Sequence, residues 1–536
     1  MATFLSNIRK GGQNLLSVVV SAAFAMSLTP VCAFAQTDES TQSQSAATYS
    51  QVSNPPEALT ESEETSQAER AASDWWNTQA DESWYSDSQT SFTLTTPQQL
   101  AGLATLVNSG TTFSGKTVRL GANIDLSGYY WVPIGGNRGI SGNTPTGNAF
   151  DGTFDGGYTA SNGTIARYAI TGLNITWNMG DVVYTGQAVS SSTSYAAFGL
   201  FGYVSGTLQN VDVAGSITSD ARLYETGGVV GTTTGSVYNC SSSVNINLTS
   251  VYSARTGGVV GEAMNDVENV SNYIQYCNNT GTLNVVRYGG GIVGSVDCSY
   301  DGGVNINYCY NTGNISNTVI GDAVQIGGIA GQTTGYINNC YSVCSITLSY
   351  SSSRVGGLVG WLNSSDATVN RCYADVDYAG SASMSNLMPA FGYVANNATK
   401  MCNVLWVVNN DNTQTIATGA NNWGYWTLCG PCVYDVLTGT NSQNPTVYSS
   451  TGTGSNSSNT NSVMTLLGSA FTRTTGSRPI LAWQETGLVY GDFGIDSGTE
   501  SDPFRIQSQS DLEAINEALN GNNGFAGKYF KIMNDL

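Results

Sequence analysis

Gly227-Gly228-Val229-Val230-Gly231 returns as Gly257-Gly258-Val259-Val260-Gly261, Gly290-Gly291-Ile292-Val293-Gly294, Gly327-Gly328-Ile329-Ala330-Gly331 and Gly356-Gly357-Leu358-Val359-Gly360. Gly199-Leu200-Phe201-Gly202 leads this series and a degenerate Phe391-Gly392 closes it. The last glycines are 29, 30, 33, 37, 29 and 32 residues apart. Behind each run stands a second marker: Val211, then Cys240, Cys277, Cys309, Cys340, Cys372 and Cys402. A polar turn and a β-branched strand follow the marker, as in Tyr310-Asn311-Thr312-Gly313-Asn314-Ile315. Short strands broken by Gly and Asn, with almost no helical period, describe an all-β chain. A unit of about 30 residues with equivalent residues at equivalent places buries its apolar side on its neighbours. These features predict a right-handed parallel β-helix, a solenoid of about 30-residue coils in which like stacks on like at roughly 4.8 Å. The units are too short for the four strands of a propeller blade. Gly lets the chain turn tightly or approach a neighbouring face, and Asn and Gly supply turns with positive φ.

Outward from the coils, one short capping helix is expected from Pro97 to Val107. Thr96 is its N-cap and Pro97 its first residue. Leu100, Leu103, Ala104 and Val107 keep the helical spacing and should close the open end of the solenoid. The stretch Phe92-Thr93-Leu94 … Phe113-Ser114-Gly115-Lys116 recurs without a gap at Phe504-Arg505-Ile506 … Phe525-Ala526-Gly527-Lys528, an offset of 412 residues from Phe92 to Phe504. This predicts that residues 499–536 are the severed start of a second module, with more chain and an anchor beyond Leu536. At the other end Arg9 and Lys10, an apolar run from Leu15 to Leu28, and Ala33-Phe34-Ala35 read as an export signal cut after residue 35. The apolar run is shorter than the ~20 residues of a membrane span. Residues 36–83 read as an acidic disordered stalk, too polar to order themselves. Gln36 to Thr90 holds eleven acids and one base, half of the net charge of −20. The first module then covers 84–435, with the glycine coils at about 199–403. A Ser/Thr/Asn/Gly linker or loop (436–462) and a closing segment (463–498) follow.

Composition excludes several functions. The chain has 536 residues, 63 glycines and no histidine. Ser–His–Asp and Cys–His nucleophile pairs, zinc peptidase motifs and imidazole metal sites are thereby absent. With 18 basic against 38 acidic residues, nucleic acid is not an expected partner.

The Gly-Gly-Val-Val-Gly runs resemble the GLUG motif of bacterial surface proteins. The opening Trp131-Val132-Pro133-Ile134-Gly135 and Phe150-Asp151-Gly152-Thr153-Phe154-Asp155-Gly156 resemble the head of such modules, and Arg478-Pro479-Ile480-Leu481-Ala482-Trp483 their capping segment. The resemblance covers about Trp84 to Gln484. It implies an adhesin-like solenoid, or the non-catalytic repeat region found near IgA-cleaving metallopeptidases. That peptidase activity needs a zinc-binding histidine motif, which this chain lacks.

Four groups of residues are candidate sites. The ladder Cys240, Cys277, Cys309, Cys340, Cys372 and Cys402 holds either disulfides between coils or a column of buried structural thiols. Parallel side chains in a column favour the thiols. Cys429-Gly430-Pro431-Cys432 matches the C-x-x-C of thioredoxin-like proteins, but no Trp precedes it and no βαβ pattern surrounds it. A disulfide between Cys429 and Cys432 is the expectation there. Tyr310, Tyr341 and Tyr373 follow ladder cysteines and should point outward, as a row that stacks on sugar rings or as an aromatic support for the coils. Asp375 with Asp377, and Asp297 with Asp301, are carboxylate pairs without clustered cations. Asp151 and Asp155 read as turn residues.

No catalytic residue, cofactor or metal is expected. The expected function is that of an exported cell-surface protein whose solenoid presents a non-catalytic adhesive face to host or microbial glycans or surface proteins. The rival is a polysaccharide-degrading β-helix enzyme, a lyase or glycoside hydrolase. A third alternative is a structural spacer for a C-terminal domain.

Overall fold

The computed structural model describes residues 74–181 and 197–406, apart from short stretches within them, and residues 427–428, 467–472, 478–488, 504–506 and 529–532. The export signal, the stalk up to residue 73, the linker 436–462, Cys429, Cys432 and most of 499–536 lie outside the described residues.

The described chain is a parallel β-solenoid with three faces. The first face is a six-stranded sheet of Glu225–Gly227, Arg255–Gly257, Tyr288–Gly290, Val324–Gly327, Ser353–Gly356 and Leu387–Met388. The second is a seven-stranded sheet from Phe201–Val204 to Phe391–Val394. The third is one large sheet bent at a corner, with strands such as Ser236–Tyr238 before the corner and Ser241–Leu248 after it. Within each face successive coils pair in parallel. Gly227 lies beside Gly257, Gly257 beside Gly290, and Gly290 beside Gly327.

The glycine motif is the corner between the first and second faces. Its first glycine ends one strand, and its fourth residue opens the next. A Cβ on Gly257 would sit 1.9 Å from the Val260 carbonyl oxygen. One on Gly261 would sit 2.6 Å from the Thr226 nitrogen of the coil before. The glycines are therefore there for close approach. None of them has a positive φ, and neither do Gly281 and Gly313 of the polar turns. The positive φ expected of the polar turns is found instead at another place in the coil, where the residue is Asn in three coils, Tyr in two and Arg in one. Residues 210, 239, 276, 308, 339 and 371, each just before the second marker, lie at φ 57, 47, 57, 54, 50 and 50. This left-handed residue bends the third face and turns the next side chain inward. Asn at 210, 239 and 339 tolerates that conformation better than most residues.

The interior alternates as a strand should. In one coil Val229, Val230, Val237, Cys240, Val244, Ile246 and Leu248 are at most 1% exposed. They belong to one continuous hydrophobic cluster with their equivalents above and below. The third face begins well before the glycine coils. Ser91–Leu94 pairs with Thr117–Leu120, which pairs with Thr153–Asp155, and that strand pairs with Thr207–Gln209.

The expected helix is present as α1, Pro97–Asn108. The Thr96 hydroxyl accepts from the Gln99 amide, while Gln99 Oε1 accepts from the Thr95 amide at 2.8 Å. Leu100, Leu103, Ala104 and Val107 join the core. Near the other end, Phe504 pairs in parallel with Phe530 and Ile506 with Ile532. Phe92 with Val118 and Leu94 with Leu120 have the same register at the same offset of 412.

Candidate binding faces

The cysteine column is real over five coils. Cys240, Cys277, Cys309, Cys340 and Cys372 are fully buried and free. Each thiol points at the carbonyl two residues before it, at 3.0–3.2 Å. The Cys309 amide lies 3.4 Å from Cys340 Sγ, and the Cys340 amide 3.4 Å from Cys372 Sγ. Burial pushes the Cys240, Cys277 and Cys340 thiols well above the usual range. The column is a packed strip of small hydrophobes. Cys402 does not belong to it. Cys402 pairs with Asn370, and Val404 pairs with Cys372 and takes the ladder position. A valine occupies that position at both ends of the column, since Val211 precedes Cys240.

Tyr310, Tyr341 and Tyr373 stack face to face, with centroids 5.1 and 5.0 Å apart and planes within 7°. They are not an open row. Tyr341 and Tyr373 are each 3% exposed. The closing segment lies along them as a strap. Phe471 packs on both rings. The Pro479 carbonyl accepts from the Tyr373 hydroxyl, and Gln484 Oε1 accepts from the Tyr341 hydroxyl at 3.0 Å. Trp483 lies 5.8 Å from the Tyr310 ring and donates to the Tyr308 carbonyl. Tyr308 itself stacks on Tyr276 at 4.9 Å. Leu488 reaches the head, where its carbonyl accepts from Ile165. The tyrosines thus support the coils and seat the strap, whose Phe471 and Trp483 pack tilted against the rings and add large apolar area to the column. Burial raises the Tyr341 and Tyr373 phenols above their ordinary value.

The acidic candidates take structural places. Asp375 pairs with Arg478 of the strap, while Asp377 is exposed. Asp301 lies outside the described residues. Asp151 accepts from Phe113 N and Thr112 Oγ1, and Asp155 from Gly157 N and Asn210 Nδ2. Among the described residues no group of acids and cysteines is placed to hold a metal.

A charged seam escapes the sequence reading. Residues two before the first glycine stack as Glu225, Arg255, Tyr288, Gln325 and Arg354. Residues one after the last glycine stack as Thr232, Glu262, Ser295, Gln332, Trp361 and Tyr393. The tight corner brings the two columns together. Arg255 lies 2.9 Å from Glu262 and 3.3 Å from Glu225, and both carboxylates are 4% exposed. Burial alone would lower the Arg255 pKa, but Glu262 and Glu225 outweigh it and raise the value. Farther along, Arg354 lies over the Trp361 and Tyr393 rings at 4.5 and 4.3 Å. The signal was available, since these two positions change from coil to coil on an unchanging glycine frame.

The third face also carries a flat polar lattice. Beyond the tyrosine column, its outward residues run as Ser243, Asn245 and Asn247; then Thr280, Thr282 and Asn284; Thr312, Asn314 and Ser316; Val343, Ser345 and Thr347. Eleven of these twelve are Ser, Thr or Asn, and none is charged. Asn245 Oδ1 accepts from Thr282 N at 3.0 Å, Asn314 Oδ1 from Ser345 N at 2.9 Å, and Asn284 Oδ1 from Thr318 N at 3.2 Å. Asn284 Nδ2 donates to Asn247 Oδ1 at 2.9 Å.

No protein-family model matches this chain, and no curated protein matches it. One crystal structure that does match is described as a "putative immunoglobulin A1 protease from Bacteroides ovatus". The identity is 18% and the TM-score 0.34, over 74% of this chain and 94% of that one. At that overlap the likeness carries no functional argument, and the solenoid stands on this chain's own strand register.

Proposed function

We propose that this chain is a non-catalytic, exported repeat protein of the GLUG type, whose solenoid presents a long binding face at the cell surface to glycans or proteins. The observation that carries the reading is the state of its buried acids. Asp155, Glu225, Glu262 and Asp375 are the buried carboxylates among the described residues, and each is held within the fold: Glu225, Glu262 and Asp375 by arginine, and Asp155 by hydrogen bonds from Gly157 N and Asn210 Nδ2. The pairs are Arg255 with both glutamates and Arg478 with Asp375, while Arg119 stands 4.0 Å from Asp155. A carboxylate fixed by a guanidinium, or by a backbone N–H and an amide, is committed to the fold rather than offered to a substrate. The outward columns meanwhile vary over a constant frame, which is how stacked repeats build extended recognition surfaces. No helix among the described residues is long and apolar enough to cross a membrane. The test is incubation of the full chain with a glycan panel, following both retention and reducing-end release. Binding without release is expected, and release of reducing ends would overturn the reading.

A further inference from the structure

We infer that the Ser/Thr/Asn lattice of the third face, from Ser243 to Thr347, is a binding site for a neutral polysaccharide laid across the coils. This deepens the reading above and rests on it only in taking the chain to bind without turnover. The argument starts from charge. The chain carries −20 overall, yet twelve neighbouring outward positions hold no charge at all. Nucleic acids and acidic polymers need clustered cations, which the face lacks. A membrane surface needs apolar or basic residues. Protein hot spots are built on Trp, Tyr and Arg, none of which stands in the lattice. What remains is a dense set of hydroxyls and amides, groups that both donate and accept. A neutral polyol presents the same chemistry in return.

Preorganisation is the second support. Three Asn side chains are held by backbone amides of the next coil. A backbone N–H can only donate, so the amide oxygen is fixed on that side. Asn284 spends its Nδ2 on Asn247, while the Nδ2 donors of the exposed Asn245 and Asn314 are turned to the ligand side. Side chains already held in place lose little freedom on binding. The array repeats at roughly 4.8 Å between coils and roughly 6.6 Å along a strand. A shallow groove of about 360 Å³ runs over it, lined by Asn245, Asn247, Thr282, Asn284, Asn314 and Thr347. The strap packs over the tyrosine column and Asp375, while Ser243, Thr280, Thr312, Asn245, Thr282 and Asn314 are exposed.

The test measures affinity electrophoresis of the full chain in gels containing a mannan, a galactan or a β-glucan, with polygalacturonate as the acidic control. At least one neutral polymer should retard the wild type. Thr312→Glu with Thr347→Glu, two exposed positions, should lose at least tenfold in affinity, and Thr312→Ala with Thr347→Ala about threefold. Tyr158→Ala, on the head hairpin, should bind as wild type does. Circular dichroism confirms that each variant is folded. The proposal falls if no neutral polymer retards the wild type, or if both double variants bind unchanged. It falls as well if the variants lose only a protein ligand, although the binding role would then survive. Reducing-end release would instead strike the non-catalytic reading and leave the lattice assignment standing.

Discussion

Replacing Arg255 with Met removes the cation that joins Glu225 and Glu262 while keeping most of the side-chain volume. The contacts of 2.9 and 3.3 Å are each worth about 5–6 kcal/mol of attraction at an effective dielectric of ~20. Desolvation of the three ions cancels much of this in the wild type, but that cost stays with the carboxylates when the arginine leaves. Loss of one partner of a buried pair costs about 3–5 kcal/mol. The Arg255 side chain is 23% exposed, which places the expectation near the lower end, about 3 kcal/mol. In a solenoid this loss is felt first by neighbouring coils. Hydrogen exchange in residues 225–262 should therefore accelerate more than exchange in the head. The pH dependence has a definite sign. Two buried carboxylates without their arginine have raised pKa values in the folded variant. A raised value means that stability is fully present below the unfolded value of about 4.3 and is lost as pH rises. The deficit should be small near pH 4 and complete by pH 7. Adding Glu225→Gln and Glu262→Gln should recover most of it. An Arg255→Met protein within ~0.5 kcal/mol of wild type at pH 7, or a deficit independent of pH, would refute the reasoning.

Further outcomes follow from the same packing. Thiol reagents at pH 8 should leave Cys240, Cys277 and Cys340 unmodified in the native chain and label them in denaturant, as read by mass spectrometry. Because burial raises these thiols and the Tyr341 and Tyr373 phenols, their contribution is present below the unfolded values. It should fade as pH climbs past about 8.5 and then about 10, seen as falling thermal stability in alkali. Tyr373→Phe removes the hydroxyl that holds Pro479 and should cost about 1 kcal/mol, detected as faster proteolysis between residues 478 and 488. Gly257→Ala would set a methyl 1.9 Å from a carbonyl oxygen and should leave little folded protein. Gly163→Ala, where only the φ of +85 resists, should cost about 1–2 kcal/mol in a melt.

How far the site was legible differs from residue to residue. The cysteine column was readable because identical residues recur at one phase of the repeat. Cys402 kept that apparent phase after a change in spacing, and only strand pairing with Asn370 shows the slip. The tyrosines were readable as a stack, but not as a covered one. Their cover comes from Phe471, Gln484 and Trp483, far along the chain and without any repeat to mark it. The Arg255–Glu262 contact hid within one coil because the corner between them reverses the chain, so a separation of seven residues becomes 2.9 Å.

By itself, then, the sequence determined the coil length, the parallel stacking, the helix at the head and the inward cysteines. All of these are local periodicities, and stacking forces like onto like. The tertiary structure alone decided which outward columns stay open. Exposure depends on what crosses the coils. The strap takes the tyrosines, the glycine corner takes the arginine and its glutamates, and the uncharged lattice from Ser243 to Thr347 keeps its exposed positions.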